Sequence, residues 1–283
     1  MQVIEEKAEK KTTVYRLYDS VNELVDFADA VPGERADEHD CTRRSTFIGR
    51  DFDDWGDAKA ASRTVWPEGI AVLERMMRDL DDAELERPKS RRRRPRFSED
   101  DGDELDYDRL RTGQPFWRTS RRECVKGPTT VTVIVDVGAN CGTNHRDILW
   151  RGAAAIALTK RLEEAGYRVE LWSVTLTEGV WSPKSKRPVT VMDSVCLKRA
   201  GDPIDESTLV AAVSGWFHRT VAFRVWCSGT KKIHRCLGHH RAPKPAELDN
   251  VSRDENRILI AQCFKYGEAV DKVRQAISNL KTW

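Results

Sequence analysis

Oxygen donors and glycines crowd one short stretch, Asp136-Val137-Gly138-Ala139-Asn140 followed by Cys141-Gly142-Thr143-Asn144. It follows an apolar run and precedes an alanine-rich one, so it reads as a strand-to-helix loop. Ligands of open α/β sheets bind outside the carboxyl ends of strands, which makes Asp136, Gly138 and Asn140 candidate partner-binding residues. The side-chain oxygens of Asp136 and Asn140 are also candidate ligands for a divalent cation such as magnesium. An enzyme built here would use Asp136 as metal ligand or general base, with His145 or a later histidine as helper. The plainer reading has Gly138 and Gly142 serving the turn and Asp136 capping the helix. The phosphate-cradling patterns GxxxxGK[ST] and GxGxxG are absent.

Two other groupings carry chemistry. Cys227, His234, Cys236, His239 and His240 bring soft donors into one segment, but their spacing fits no standard tetrahedral zinc pattern. A surface loop that happens to hold histidines is the simpler account. Arg91, Arg92, Arg93 and Arg94 form a basic run able to grip phosphates, with Phe97 as the nearest aromatic. Seven acidic residues follow between Glu99 and Asp108, and across a flexible chain they would neutralise the arginines.

A chain of 283 residues can bury a sizeable core as one large domain or two modest ones. With 33% charged residues and no long apolar run, it has no membrane-spanning segment. Its start, MQVIEEKAEKKTT, lacks a secretory signal pattern, and seven scattered cysteines without a CxxC pair suit reduced thiols, so a cytoplasmic location is expected. A formal charge of +2 gives the whole molecule no strong field toward nucleic acid, leaving only local binding by a basic segment.

The elements that must position these residues follow from periodicity. After a charged leader, helices are expected over 15–31, 51–63 and from Pro67 to about Leu80, making residues 1–86 a helical N-terminal region. Residues 87–128 read as a charged linker, with Trp117 as a strap. Residues 129–283 read as an α/β domain: a strand over 130–135, a helix from Asp147 to Ala165 stopped at Gly166, and strands over 167–177 and 188–198 in an antiparallel hairpin. A helix over 205–216, strands over 221–227 and 257–264, and a helix over 268–280 complete it. The expected class is α/β, a mainly parallel Rossmann-like sheet with an antiparallel edge hairpin.

That order, with its first strand ending in Asp136, resembles the von Willebrand factor A-like (VWA-like) fold. The family builds a metal-ion-dependent adhesion site from a DxSxS loop, a threonine and a later aspartate. Here only Asp136 matches, with Gly138 and Asn140 where serines stand, and the strand TVAFRVW ends in Cys227-Ser228 rather than aspartate; Asp202 is the substitute carboxylate. The stretches RGAAAIALTKRLEEAGYRVELWSV, GDELDYDRLRTGQPFW and WPEG also resemble bacteriophage proteins carrying a degenerate VWA-like domain. The resemblance implies a viral protein in a bacterial cytoplasm. It also implies a protein partner held by loops 136–144, 200–205 and 227–231, with Asp136, Gly138, Asn140, Asp202 and Ser228 as contacts. Some intracellular members of the fold work with a MoxR-type AAA+ ATPase. A non-enzymatic interaction module is the leading expectation, with no catalytic residue assigned.

Overall fold

Residues 2–8 and 11–18, expected as a leader running into a helix from Tyr15, are extended instead. Strands β1 (Gln2–Ala8) and β2 (Lys11–Tyr18) form an antiparallel hairpin, and only then does α1 (Val21–Asp29) begin, capped by Ser20 on Glu23. Tyr15 and Tyr18, three residues apart on β2, are buried on opposite faces, Tyr15 beside Ile134 and Trp172 and Tyr18 beside Val21 and Trp216, as suits a strand covered on both sides. Short helices α2 (Ser45–Ile48) and α3 (Trp55–Ala61) and the longer α4 (Pro67–Asp79) follow, the last with proline in its first turn as expected. The computed structural model describes residues 1–8, 11–30, 45–81, 85, 96–102, 104–119, 130–140, 142–182, 187–227, 239–253 and 256–280.

Residues Arg87–Thr129 cluster as a compact unit of their own, where a linker was expected. Their described part holds β3 (Arg96–Ser98), β4 (Glu104–Leu105), α5 (Tyr107–Arg111) and β5 (Trp117–Thr119), with β5 in the centre of a three-stranded antiparallel sheet. Trp117 belongs to this sheet.

The main unit joins Met1–Glu86 to Thr130–Trp283, so the N-terminal residues are part of the α/β body rather than a separate helical region. Its elements continue with β6 (Thr130–Asp136), α6 (His145–Glu164), β7 (Arg168–Ser182) and β8 (Arg187–Lys198). Helices α7 (Glu206–Ala212) and α8 (Gly215–Phe217) run through a π-helical turn at His218–Ala222 into α9 (Phe223–Cys227). Strand β9 (His239–His240), a 3-10 turn at Pro245–Asn250, β10 (Arg257–Ile260) and α10 (Tyr266–Leu280) end the chain.

The fold is mixed α/β around a mostly parallel sheet of order β1-β2-β8-β7-β6-β10, with β9 added to β7. Strand pairs β2–β8, β6–β7 and β6–β10 are parallel, whereas β7 and β8 form the expected antiparallel hairpin. That hairpin is internal, because β2 and β1 extend the sheet beyond β8. Arg16 on β2 meets Asp193 on β8 through two hydrogen bonds of 2.7 and 2.6 Å, fixing the register of this pair.

The expected strand over 221–227 is helical. Phe217, Val221 and Val225 recur every four residues and are all buried, and a short apolar run with this spacing cannot be told from a strand by hydrophobicity alone. One face of the sheet packs Val131, Val133, Val135 and Leu171 against α4, α6, α7 and α10. The other buries Ile134, Trp172, Val174 and Met192 with Tyr15 and Leu248. Trp216 centres a third cluster, its ring 5.4 Å from Phe52 and 6.1 Å from Trp66, which seats α1–α3 on the helices after β8. Among the described residues, no helix is long and apolar enough to cross a membrane.

Helix α6 approaches α7 through Gly152, where an added methyl group would overlap the side chain of Val213. Overpacking of about 1–3 kcal/mol outweighs the gain of about 1 kcal/mol in helix propensity. Gly152→Ala is therefore expected to lower stability in urea denaturation, and an unchanged or raised midpoint would rule out so close a contact.

Candidate functional site

Strand β6 delivers Asp136 to its carboxyl end fully buried. The carboxylate does not cap α6; that cap is Asn144, which accepts from the Arg146 N–H at 2.9 Å. Asp136 Oδ1 instead accepts the Gly138 N–H at 3.0 Å, folding the loop back on itself. Its second partner is His240, whose Nε2 lies 3.1 Å from Oδ1 and 3.3 Å from Oδ2. The other edge of that imidazole rests on Gly138, where any side chain would collide with it. Asn140 closes the clasp by accepting the His240 backbone N–H on Oδ1 at 3.0 Å.

Two buried guanidiniums support the same loop from below. Arg151, reaching back along α6, donates from Nη1 to the carbonyls of Asp136 at 2.9 Å and Gly138 at 3.0 Å, and from Nε to Asp147 at 3.3 Å. Arg219, from the π-helical turn, donates to the carbonyls of Thr143 at 2.5 Å, Asn140 at 3.4 Å and Phe47. The partners of both are main-chain carbonyls of the loop and of helix ends. The neighbouring His218 is buried as well. Desolvation, with His240, Arg219 and Arg151 close by, holds its imidazole well below the ordinary histidine range.

The expected sites are only partly brought together. Asp136, Gly138 and Asn140 share one loop. Asp202 does not join them, because β8 runs antiparallel and its end is at the opposite edge: Lys198 bonds Glu163 and the Val169 carbonyl, and Arg199 pairs with Asp19 and Glu170. Ser228, His234, Cys236 and Arg91–Arg94 lie outside the described residues. His239 is exposed while His240 is buried, so the two adjacent histidines face opposite sides of β9. His145 is packed against Gly49 and Gly215, and burial lowers its pKa first, helped by Arg146 and Arg219.

A divalent cation does not fit this donor set. The one carboxylate already accepts two hydrogen bonds, Asn140 Oδ1 accepts another, and two buried arginines hold positive charge against the loop. Among the described residues, no three His, Cys, Asp or Glu side chains are placed to hold a metal. Between β7, β8 and the π-helical turn, a cavity of about 20 Å³ lined by Ser173, Thr175, Asp193 and His218 has room for one water and no organic substrate. What composition did not reveal was the role of Arg151 and Arg219. A charged residue set inside the apolar runs RGAAAIAL and WFHRTVAF was the available signal.

His240→Ala is expected to cost about 1–3 kcal/mol by leaving the Asp136 carboxylate underbonded. Adding Asp136→Ala should then cost less than it does alone; additive losses in urea titrations would dissolve the clasp. His218 is neutral in the fold with an unfolded value near 6.5, so it stabilises above that pH and the contribution is lost as pH falls below it. Stability should drop by up to about 1.4 kcal/mol per pH unit below roughly 6.5, and His218→Asn should flatten that slope.

No curated protein and no solved structure matches the chain. A family model described as a domain of unknown function, DUF7192, matches residues 5–282. Because that match spans nearly every residue, the chain belongs to the DUF7192 family.

Proposed function

We propose that the protein is a non-enzymatic interaction module with a Rossmann-like, VWA-like main unit, binding a protein partner through the 136–144 loop. The observation that carries this reading is how the buried polar side chains are used. Asp136, Arg151, Arg219 and His240 all engage the loop or one another, whereas Asn140, Gly142 and Asn144 remain exposed on its rim. A rim held this firmly loses little freedom on binding, which is how preorganisation raises affinity. An enzyme would need a general base within reach of substrate, and the carboxylate and imidazole here are enclosed.

The partner contact is direct rather than bridged by a cation, since Asp136 is turned inward. A MoxR-type AAA+ ATPase, a bacteriophage origin and work in a bacterial cytoplasm remain part of the proposal through the VWA-like resemblance alone. Gly142 offers a clean probe, because a side chain there meets nothing within 4 Å. Gly142→Arg should leave the urea midpoint unchanged yet remove partners crosslinked to the wild type in cells. An identical set of partners for both proteins would overturn the loop as the binding surface. Calorimetric titration with magnesium and manganese should give no heat that depends on Asp136, and saturable binding abolished by Asp136→Ala would restore the metal-bridged mode.

A further inference from the structure

The rim of the 136–144 loop is one end of a longer surface of the main unit. Strands β6 and β10 are parallel, with Val135 beside Ile260, so the chain leaving β10 emerges next to Asp136. It then reaches Phe264, whose side chain is left 53% exposed. Behind the rim, Arg146 lies in the first turn of α6 and Trp150 one turn further, positions that share a helix face. The Trp150 ring meets Tyr266, which opens α10, edge to face at 6.3 Å. Arg75, from α4, stacks its guanidinium 4.3 Å from the centre of the Tyr266 ring. The Tyr266 hydroxyl donates to Asp79 at 2.6 Å, which holds that ring in place.

The charges around these rings are unevenly used. Asp79 accepts from Tyr266, and Glu268 accepts the Phe264 N–H at 2.9 Å. Arg146 and Lys265, by contrast, are exposed and make no ion pair among the described residues. Arg75 stays 3.9 Å from Asp79 with 65% of its side chain exposed. Tryptophan, tyrosine and arginine are the side chains that dominate interface energies, and here two of the three are already fixed in place by packing. Exposed cations beside an exposed apolar ring select a partner of opposite charge that can cover the ring.

We propose that the stripe Arg146–Trp150–Tyr266–Arg75, with Phe264, is the docking surface for an acidic segment of a protein partner that carries a large apolar side chain. The apolar group seats against Phe264 and Trp150, and the carboxylates meet Arg146, Lys265 and Arg75. This rests on the 136–144 loop as the partner-binding surface and names the chemistry that the surface selects. The test is selection from a display library of random short peptides on the immobilised full chain, followed by fluorescence anisotropy of the enriched peptides. Those peptides should combine Asp or Glu with Trp, Phe or Leu and bind more weakly as salt rises. Phe264→Ala, at an exposed position, should raise their Kd by about tenfold. Arg146→Glu should slow their association by about tenfold. Both variants should keep the wild-type urea midpoint. No enrichment, enrichment of basic or uncharged peptides, or unchanged binding to either variant would overturn the proposal. Gly142→Arg separates it from the reading on which it rests. Acidic peptides lost in Phe264→Ala but kept in Gly142→Arg would uphold the stripe and overturn the loop, whereas cellular partners lost in Gly142→Arg but kept in Phe264→Ala would do the reverse.

Discussion

Everything at the carboxyl end of the main sheet depends on two charges that have been taken out of water. Burying a guanidinium is costly unless its donors find acceptors; Nε and Nη1 of Arg151, and Arg219, donate to main-chain carbonyls, while Nη2 of Arg151 has no hydrogen-bond partner among the described residues. The requirement works in both directions. The loop after β6 needs donors for its inward carbonyls, and the arginines need those carbonyls to remain where they are. Arg219 also reaches the Phe47 carbonyl and lies 4.0 Å over the Phe47 ring, so the helices before Pro67 are fastened to the same loop.

This arrangement separates the loop from the metal-binding loops that its first aspartate resembles. In an adhesion site the aspartate must look outward with several oxygens around it. Here Asp136 looks inward to His240 and Gly138, and the neighbouring formal charges are positive. A glycine at 138 is what lets the imidazole lie so near, so the departure from the DxSxS pattern and the histidine clasp are one structural choice. The sheet enforces a second separation. With β8 reversed, the carboxylate of Asp202 is carried to the far edge, and no rearrangement of side chains alone would return it.

Several features were legible in the residues because local physics determined them. β6 is a run of β-branched residues buried on both faces; α6 has small residues where it meets the sheet; Gly166 adopts φ 97° just beyond its end. The hairpin of β7 and β8 followed from two alternating runs and a short polar link. Other features depended on distant partners. β1 and β2 looked like a charged leader because one side of the hairpin is solvated and no Gly or Asn marks its turn. The 221–227 segment has an apolar run equally suited to either structure, and what decides it is the packing of Val221 and Val225, one helical turn apart, in the cluster with α1–α3. At the site, Asp136 was visible as a loop residue, but its pairing with His240 spans 104 positions, beyond any local pattern.

The place of β2 in the sheet has a consequence for how the chain is made. Arg16 and Asp193 are 177 residues apart, so β1 and β2 have no sheet to join until β8 has also left the ribosome. Closing so long a segment is entropically slow, and at about 5–20 residues per second the hairpin must wait on the order of ten seconds or more. During that interval Tyr15 and Tyr18, buried on opposite faces of the finished sheet, are open to water or to a chaperone. The β1–β2 hairpin is thus docked only after β8 exists, and a change within it acts on a late step of folding rather than an early one.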